Sequence, residues 1–537
     1  MQLSPIAGAD TRSAPTDAPS FSLPRDYNAA SFFIDRHLVQ GRAGKTAVID
    51  DTGAFTYGDL AERANRAGNA LKALGLRQED RVAVCMLDTV NFPAVFWGAI
   101  KAGLVPIPLN TLLTPRDYAY MLRDSRVRAL VVSAALHDKI APALADQPFL
   151  EHVILDGDGP ESLDARMAAA APDLEAAATT CDDIAFWLYS SGSTGAPKGV
   201  MHCHGHLAAT HELFGQGVLG VREDDVVYSA AKLFFAYGLG NGMTFPFGAG
   251  ATVVLLAERP TPEAVMRTLA AHQPTVYCGV PTLYAAILAD RATAGHAGSD
   301  RLRLCVSAGE ALPAEVGQRW EERFGVEILD GLGSTEMLHI FLCNPPGKRR
   351  YGTSGIAVPG YDLMIVDEHG HPVADGEIGE LLVRGPSSAL GYWNQRAKSR
   401  HTFRGAWTAT GDKYSREADG YYVYAGRADD MLKVSGNWVS PFEVEAALVA
   451  HPAVLEAAVI GDGPDGLVKP HAFVVLKEGR EADAALIDDL KAFVKSRLAP
   501  YKYPRWIDVV DTLPKTATGK IQRFKLRDQV KEERRDA

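Results

Sequence analysis

The segment Tyr189–Gly199, YSSGSTGAPKG, contains the residue types that hold phosphate groups. It combines three serines, one threonine, three glycines and one lysine, and it directly follows the apolar run IAFWL. Glycines let backbone N–H groups turn towards an anion, hydroxyl groups add neutral donors, and Lys198 adds a positive charge. The segment is not a Walker A loop, because Gly199 stands where that loop has Ser or Thr. Its composition predicts a phosphate-binding loop, although Gly/Ser-rich surface loops without a ligand share this composition.

Five further segments follow in the chain: SAGEALP (307–313), DGLGSTEM (330–337), TGD (410–412), GRADDMLKVSG (426–436) and PKTATGK (514–520). With the first segment they resemble the ordered motifs of the adenylate-forming superfamily. That superfamily contains acyl- and aryl-CoA synthetases, luciferases and the adenylation domains of peptide synthetases. The motifs are its phosphate loop, adenine-binding turn, Thr-Glu motif, ribose motif, hinge motif and terminal lysine loop. Six motifs in the family's order are a specific signal.

The resemblance implies that ATP and coenzyme A are co-substrates and that Mg²⁺ is the cofactor. Glu336 is similar to the family's Mg²⁺-binding carboxylate, and Thr335 to the hydroxyl that contacts the α-phosphate. Lys520 resembles the lysine that bridges carboxylate and phosphate oxygens. Asp412 resembles the residue that accepts hydrogen bonds from both ribose hydroxyls, which suits an acceptor-only carboxylate, and Arg427 would add a ribose or phosphate contact. The other nucleotide-binding residues implied are Ser190, Ser191, Gly192, Ser193, Thr194, Gly195 and Lys198 at the phosphates, and Gly309, Glu310, Ala311, Asp330, Gly331 and Leu332 at the adenine.

Each of these residues also has an ordinary structural interpretation. A glutamate after Ser-Thr can cap a helix, and a lysine in a Thr/Gly-rich loop is usually only solvated. Leu332 departs from the family pattern, because many relatives have an aromatic residue there; aliphatic contact with the base would replace stacking. The surrounding motifs favour the functional interpretation of Glu336 and Lys520.

The hinge motif implies a mobile C-terminal domain. Asp429 lies where the family pivots, so that after adenylation the domain withdraws Lys520 and presents a second face to the thiol of coenzyme A. Gly436 resembles a glycine beside the pantetheine channel, where a missing side chain allows close approach. Lys433 would accompany that second face as a catalytic residue.

The segment KLFFAYGLGNG (232–242) resembles the substrate-binding segment of benzoate-CoA ligases. Small residues beside aromatic ones can form a narrow apolar slot for a flat ring. Taken alone, His339 fits ordinary core packing better than a substrate contact, and at least one of Phe234 and Phe235 also fits core packing. The residues expected to surround the acid are Phe235, Ala236, Tyr237, Gly238, Ala308, Gly333, His339 and Ile340.

These residues predict an ATP-dependent aryl-CoA ligase, with benzoate as the acid and a benzoyl-adenylate as the intermediate. Two alternatives remain: a CoA ligase for a substituted benzoate or cinnamate-type acid, and a stand-alone enzyme that loads an aryl group onto a carrier protein. A catalytically silent regulator is disfavoured by Thr335, Glu336, Asp412 and Lys520. A hydrolase with a nucleophile elbow is excluded because the chain has no G-x-S-x-G.

The elements that must position these residues alternate between helical and β-rich patterns. TYGDLAERANRAGNALKALGL followed by RVAVCML is one example, and ATVVLL, PTVYCGVP and LRLCVSAG are further buried strands. This alternation predicts an α/β fold with parallel sheets. Turn-rich β segments from about 355 predict a smaller β-rich subdomain, and the last part has its own α+β pattern. The predicted divisions are a mobile tail at 1–22, a large domain at 23–428 with the β-rich subdomain at about 355–428, and a small mobile C-terminal domain at 429–537.

Composition indicates which partners and which cellular compartment are expected. The 537 residues carry a net charge of −11 and no long Lys/Arg-rich stripe, so nucleic acid is not expected as a partner. Six scattered cysteines suit a reducing compartment. The first 22 residues lack an apolar signal region, and the longest apolar run, 94–109, is too broken to span a membrane. A soluble cytoplasmic protein is therefore expected. The lysine loop also suggests a lysine acetyltransferase acting on Lys520, and the oligomeric state stays open, a homodimer included.

Overall fold

The computed structural model describes residues 21–192, 195–293, 298–427, 430–434, 437–463, 468–480, 482–499, 501–515 and 521–536. Apart from residues 21 and 22, the predicted N-terminal tail lies outside these ranges. In the described part of the chain, two mainly parallel sheets and an antiparallel hairpin occupy the first two thirds, and smaller antiparallel and mixed sheets follow. This is the α/β organisation expected from the sequence.

The largest sheet has six parallel strands at its centre and antiparallel strands at both edges. Its central strands are short and almost wholly apolar, as expected for parallel strands covered by helices on both faces. The strand order in this sheet is Ile356–Ala357, Ile340–Cys343, Ile328–Gly333, Leu304–Ala308, Val276–Gly279, Val226–Ser229, Thr252–Val254, Thr46–Asp50 and Gly53–Thr56.

A second, fully parallel sheet lies earlier in the chain. Its order is Val105–Pro108, Arg81–Cys85, Ala129–Ser133 and His152–Asp156. A separate antiparallel group consists of Gly391–Tyr392, Gly195–Cys203 and Ile184–Gly192. The last two of these form the hairpin that carries the Gly/Ser-rich segment, so this segment joins two paired strands.

The later part of the chain forms smaller sheets. An antiparallel sheet contains Asp362–Val366, Gly379–Arg384, Trp407–Arg416, Phe403–Arg404 and Tyr422–Arg427. It begins a few residues after the predicted start of the β-rich part, because Ile356–Ala357 pairs with the largest sheet instead. Beyond it lie the pair Leu432–Val434 and Asn437–Val439, and the mixed sheet Val454–Asp462, Lys469–Leu476 and Trp506–Val509.

Helices begin where the sequence supplies capping residues. Thr56 and Asp59 form a capping box at one helix, and Thr114 and Asp117 form another, with Pro115 in the first turn. The α-helices are Arg36–Val39, Tyr57–Ala73, Asn91–Lys101, Pro115–Ser125, Ala134–Ile140, Leu163–Ala169, His204–Thr210, Ala236–Leu239, Phe245–Ala249, Pro262–His272, Pro281–Ala289, Ala314–Phe324, Arg396–Thr402, Pro441–Val449, Ala484–Arg497 and Arg523–Asp536. Ser31–Asp35, His211–Gln216 and Gly240–Thr244 are π-helical, and Ala141–Ala143 is a 3₁₀ turn.

Separate apolar cores lie on either side of the predicted hinge. Phe33, Trp97 and Phe186 belong to a core of the large domain, whereas Val444 and Leu490 belong to a core formed by residues after 430. The C-terminal part therefore has its own packed interior, as expected for a small α+β domain, while the domain limits themselves remain a prediction. Among the described helices, none combines the length and apolarity that crossing a membrane requires.

Candidate active site

A charged cluster of Lys198, Tyr392 and Glu336 lies beside the phosphate-loop hairpin. The Lys198 ammonium donates to the Tyr392 hydroxyl at 3.1 Å, and that hydroxyl donates to Glu336 Oε1 at 2.8 Å. Lys198 Nζ is itself 3.7 Å from Glu336 Oε1, and both side chains are less than one-fifth exposed. Ser190 Oγ lies 3.5 Å from the same oxygen. The predicted phosphate lysine and metal carboxylate thus meet in one place.

Burial and charge act on this cluster in opposite directions. Burial lowers the pKa of Lys198, and the adjacent Glu336 carboxylate opposes that shift. Burial, reinforced by Glu336, raises the pKa of Tyr392 far above its usual range, so its hydroxyl keeps its proton and can donate. The cluster is therefore a lysine and a carboxylate held together by a neutral hydroxyl.

Thr335 and Glu336 lie in a tight turn between the strands Ile328–Gly333 and Ile340–Cys343. The Leu338 N–H donates to the Thr335 carbonyl at 3.1 Å, and Leu338 has a φ of +64°, which is uncommon for a residue other than glycine. His202 Nε2 lies 2.8 Å from the same Thr335 carbonyl oxygen. Burial lowers the pKa of His202 to about 4, so it is neutral at pH 7. The turn is thus held by its own backbone hydrogen bond and by His202 of the phosphate-loop hairpin.

The predicted ribose residues face each other on neighbouring strands. Asp412 pairs with Arg427 in the register of Trp407–Arg416 with Tyr422–Arg427. Arg427 Nη1 donates to Asp412 Oδ1 and to the Thr410 carbonyl, each at 3.1 Å. A carboxylate held by an arginine keeps its direction, which suits recognition of two hydroxyl groups.

The predicted adenine-binding turn, which follows the strand Leu304–Ala308, is tied to the next strand by a buried acid. Asp330 is 4% exposed, and its Oδ2 accepts from the Leu312 N–H at 3.4 Å. Burial raises the pKa of this carboxyl to about 8, so it is largely protonated at neutral pH. Gly309 is exposed with φ +95°, and Leu332 is half-buried against the core. The Asp330 side chain therefore braces the turn from below.

Among the residues predicted to surround the acid, His339 contacts both Tyr237 and Gly333 beside the large parallel sheet. Tyr237 donates its hydroxyl to the carbonyls of Val306 and Gly279, at 2.9 and 3.0 Å, which fixes the ring against two neighbouring strands. Its ring stacks on His339 with 5.7 Å between centroids. Gly333 lies against the His339 carbonyl, only 2.7 Å from where a Cβ would be. The name acyl wall denotes Phe235, Ala236, Tyr237, Gly238, Ala308, Gly333, His339 and Ile340.

His339 is a buried, neutral member of this wall. It is 3% exposed, and burial lowers its pKa to about 3. Its ring also contacts Phe214 and Phe245, with centroids 5.2 and 4.6 Å away. Nδ1 has no hydrogen-bond partner among the described residues. Of the two phenylalanines before Ala236, Phe234 is buried in the core and Phe235 is half-buried.

Several predicted site residues cannot be placed. Ser193, Thr194, Asp429, Gly436 and Lys520 lie outside the described residues. For Ser191, Gly192, Gly195 and Lys433 only the backbone is described, within strands. Glu310 and Ala311 are half-buried in the turn after Gly309. The roles of all these residues stay predictions.

Tyr392 and His202 take part in the site but were missed by sequence reasoning. Tyr392 lies 194 positions from Lys198, in a two-residue strand with no motif around it. His202 belongs to the run His-Cys-His-Gly-His directly after the phosphate loop, and this concentration of histidines was the one available signal.

Comparison with known proteins identifies the family. A model of the AMP-binding enzyme family matches residues 35–393, and a model of the AMP-binding enzyme C-terminal domain matches residues 443–520. The chain belongs to the AMP-binding enzyme family. The predicted adenylate-forming superfamily and the predicted fold class are both confirmed.

Close relatives of this AMP-binding enzyme act on aromatic acids. A benzoate–CoA ligase of Thauera aromatica is 60% identical over 95% of this chain and 97% of its own. A 4-hydroxybenzoate–CoA/benzoate–CoA ligase of Rhodopseudomonas palustris is 56% identical, over 94% of each chain. Among solved structures, a benzoate CoA ligase from Burkholderia xenovorans LB400 superposes with a TM-score of 0.87 at 55% identity, covering 93% of this chain and 100% of the other. The anthranilate CoA ligase AuaEII in complex with anthranoyl-AMP gives 0.91 at 45% identity, covering 95% and 98%.

Proposed function

We propose that this chain is a benzoate–CoA ligase, which converts benzoate, ATP and coenzyme A into benzoyl-CoA, AMP and diphosphate. The observation that carries the proposal is the turn at 334–339. At one end Glu336 contacts Lys198 and Tyr392, and at the other end His339 stacks on Tyr237 in the acyl wall. An aromatic acid on the wall and phosphates at the cluster would meet across this turn. The 60% identity to the Thauera benzoate–CoA ligase supports the same substrate.

The acyl wall suits an aromatic acid and disfavours an amino acid. None of its eight side chains carries a charge at neutral pH, because His339 is neutral there. The wall therefore offers no carboxylate to an ammonium group. Tyr237 and His339 present ring surfaces, and Gly238 and Gly333 let the backbone come close, as a flat ring requires.

In the first half-reaction a benzoate oxygen attacks the α-phosphorus of ATP, the bond from that phosphorus to the bridging oxygen breaks, and diphosphate leaves. Both reactants are anionic, so the protein must supply positive charge and hold them in line. Lys198 supplies one such charge at the phosphates. We assign to Lys520 the bridge between carboxylate and phosphate oxygens, and to the Thr335 hydroxyl a contact with the α-phosphate.

Asp412 and Arg427 orient the ribose, and the 309–312 turn receives the adenine. A bound Mg²⁺ would be held by Glu336, and it would neutralise phosphate charge. The donor set fits this ion: among the described residues, every contact of the Glu336 carboxylate falls on Oε1, which leaves Oε2 for a cation. In the described part of the chain, no three or more His, Cys, Asp or Glu residues are grouped to hold a metal. The ion would therefore depend on phosphate oxygens and water for its other ligands, as Mg²⁺ usually does.

In the second half-reaction the thiol of coenzyme A attacks the benzoyl carbonyl and AMP leaves. We propose that the domain beyond Asp429 rotates between the two steps. Lys520 would then withdraw, and Lys433 and Gly436 would line the entry of the thiol. Adenylation and thioester formation would thus use two faces of one small domain.

The compartment and the partners are also proposals. All six cysteines are free and five are buried, which suits the reducing cytoplasm. A lysine acetyltransferase acting on Lys520 would remove the charge on which adenylation depends. A quantitatively acetylated sample should therefore form no adenylate, and full activity would overturn this proposal. Light scattering would show whether the chain forms a homodimer.

A substrate screen tests the function. Purified protein, Mg²⁺, ATP and coenzyme A are incubated with benzoate, hydroxybenzoates, cinnamate, short fatty acids or amino acids, while diphosphate, AMP and the thioester are measured. Benzoate should have the highest kcat/KM, and free coenzyme A should become acylated. Adenylate formation without a thioester would indicate a carrier-loading enzyme, and a higher kcat/KM for cinnamate would shift the substrate class. No AMP with any aromatic acid would overturn the proposal.

A further inference from the structure

Lys232, at the start of the substrate-binding segment, is anchored below the acyl wall. Its ammonium donates to the carbonyls of Leu256, Ala257 and Glu258, the last two at 3.3 and 2.8 Å. The carboxylate of Asp88 lies 3.7 Å from the same ammonium. One lysine therefore contacts three backbone carbonyls and a carboxylate. The sequence assigned no role to this side chain.

Asp88 is buried and has few ways to balance its charge. It is 4% exposed, and both of its oxygens lie 3.4 Å from the Leu233 N–H. Lys232 is the cation that contacts it within the described chain. A buried carboxylate without a partner is strongly unfavourable, so the position of Lys232 and that of Leu233 are coupled to Asp88.

The pair joins two sheets just where the acid is expected. Asp88 follows the strand Arg81–Cys85 of the smaller parallel sheet. Lys232 follows Val226–Ser229, and its carbonyl partners follow Thr252–Val254, both in the largest sheet. The carboxyl ends of parallel strands are where α/β proteins place their ligands.

The backbone of the same segment folds tightly onto itself. A Cβ at Gly238 would overlap the Lys232 carbonyl oxygen, so the chain reverses between these two residues. The side chains of Phe235, Ala236 and Tyr237 lie within this reversal. Any displacement of Lys232 would therefore move the aromatic part of the acyl wall.

We propose that Asp88 and Lys232 are positioning residues that hold the aromatic part of the acyl wall in the shape that binds the acid. They touch neither nucleotide nor acid; they act through Phe235 and Tyr237. This inference rests on the proposed aryl-CoA ligase function. It predicts that loss of the pair weakens binding of the aromatic acid selectively and leaves ATP binding intact.

The pair should also respond to pH. Burial raises the pKa of Asp88 to about 6, although Lys232 opposes the shift. The Tyr228 hydroxyl, on Val226–Ser229, is a further titratable group here: burial raises its pKa, and the charges of Asp88, Glu258 and Arg267 act on it as well. Below about pH 6 Asp88 is protonated, so Lys232 no longer faces a negative charge. Because the folded-state pKa lies above that of an unfolded aspartate, protonation favours folding, so acid binding should weaken without loss of stability from this group.

Four variants and one matched control test the proposal: Asp88→Asn, Lys232→Met, the double variant of these two, Lys232→Arg, and the control Asp225→Asn. Asp225 forms a comparably buried ion pair with Arg303 at the opposite end of the same strand, Val226–Ser229, away from the acyl wall. Asp88→Asn should raise the KM for benzoate about tenfold, with the KM for ATP within about twofold. Lys232→Met should be worse, the double variant no worse than Lys232→Met, and Lys232→Arg should restore part of the affinity. Asp225→Asn should lower the Tm and leave both KM values near wild type.

The outcomes separate this inference from the proposed function. If wild-type protein activates no aromatic acid, the function fails. If wild type is active but Asp88→Asn only lowers the Tm, as Asp225→Asn does, the positioning role is refuted. Should Asp88→Asn not fold, the KM for benzoate of wild type between pH 5.5 and 7.5 decides: it should rise as the pH falls through about 6, and a flat profile overturns the inference.

Discussion

The charged cluster and the acyl wall lie three residues apart along one turn, at Glu336 and His339, yet they are built in opposite ways. The cluster pairs a lysine with a carboxylate through the Tyr392 hydroxyl. The wall contains no charge, and burial keeps its histidine ring neutral. Phosphates need fixed charges that new contacts can recruit, whereas a benzene ring needs a dry and rigid surface. This difference implies that a substitution in the charged cluster should change the kinetic constants for ATP, whereas one in the acyl wall should change those for the aromatic acid.

The largest expected effect comes from removing the charge that we assign to the reacting phosphate. Lys520→Ala should slow adenylation by about 10³-fold, because one electrostatic contact to the transition state is lost. It should still convert supplied benzoyl-adenylate and coenzyme A into the thioester. Diphosphate release and thioester formation are measured separately.

Lys515→Ala is the matched control, because Lys515 lies in the same loop but is paired with Glu456 at 2.6 Å. Its rates should stay near wild type. Lys433→Ala should show the reverse of Lys520→Ala, with adenylation retained. Equal loss of both half-reactions in the Lys520 and Lys433 variants would refute the two-face model.

The same chemical change in each region gives the sharpest comparison. Tyr392→Phe removes the hydroxyl that joins Lys198 to Glu336 and should lower kcat/KM for ATP about tenfold, since that hydroxyl bonds to charged groups. Tyr237→Phe removes a hydroxyl bonded to two carbonyls and should raise the KM for benzoate about as much. Steady-state kinetics with each substrate varied in turn would check both. If both variants changed the same substrate's constants, the division between the regions would be wrong.

Asp330, the buried acid below the 309–312 turn, tests whether burial also keeps a carboxyl group neutral next to the acyl wall. Its pKa of about 8 lies far above that of an unfolded aspartate, about 4. The stability that its protonated form provides is therefore full at low pH and is lost as the pH rises towards 8. Asp330→Asn cannot ionise, so its Tm should rise relative to wild type by about 2 °C or more between pH 6 and pH 9. A Tm difference that does not depend on pH would show that this acid is ionised throughout.

The smallest effect is expected for His339→Phe, a change of similar volume within the wall. The KM for benzoate should change by about threefold or less, because volume-conserving core changes are tolerated best. The ratio of its rate to that of wild type should not depend on pH between 6 and 8, because a group with a pKa of about 3 does not titrate there. A change of ATP constants in this variant would contradict the assignment of His339 to the acyl wall.

Much of the fold was predictable because its signals are local. The capping box of Thr56 and Asp59 begins the helix Tyr57–Ala73, which the periodicity predicts over 56–76. The apolar runs before Gly309 and after Thr252 are short parallel strands, as expected. The pairing of Ile356–Ala357 with the largest sheet was not predicted, since a two-residue strand carries no pattern.

The site residues, too, divide into those that local motifs identify and those that only the folded structure brings together. Lys198, Glu336, Asp412 and the 309–312 turn were identified because a nucleotide demands particular residue types at short spacing within single loops. The comparisons confirm the family that these motifs predict, and the roles of the individual residues stay predictions.

Other partners come from far along the chain and carry no motif. The Tyr392 hydroxyl meets a lysine 194 positions away, and the Asp88 carboxylate meets the Leu233 amide 145 positions away. Their proximity is set by how strands are ordered in sheets, which no local spacing encodes. The neutral state of Asp330 and of His339 also depends on the folded protein, because only close packing removes the water that would otherwise stabilise their charged forms. The residue types thus specify the chemistry, and the tertiary structure specifies which charges persist and what holds them in place.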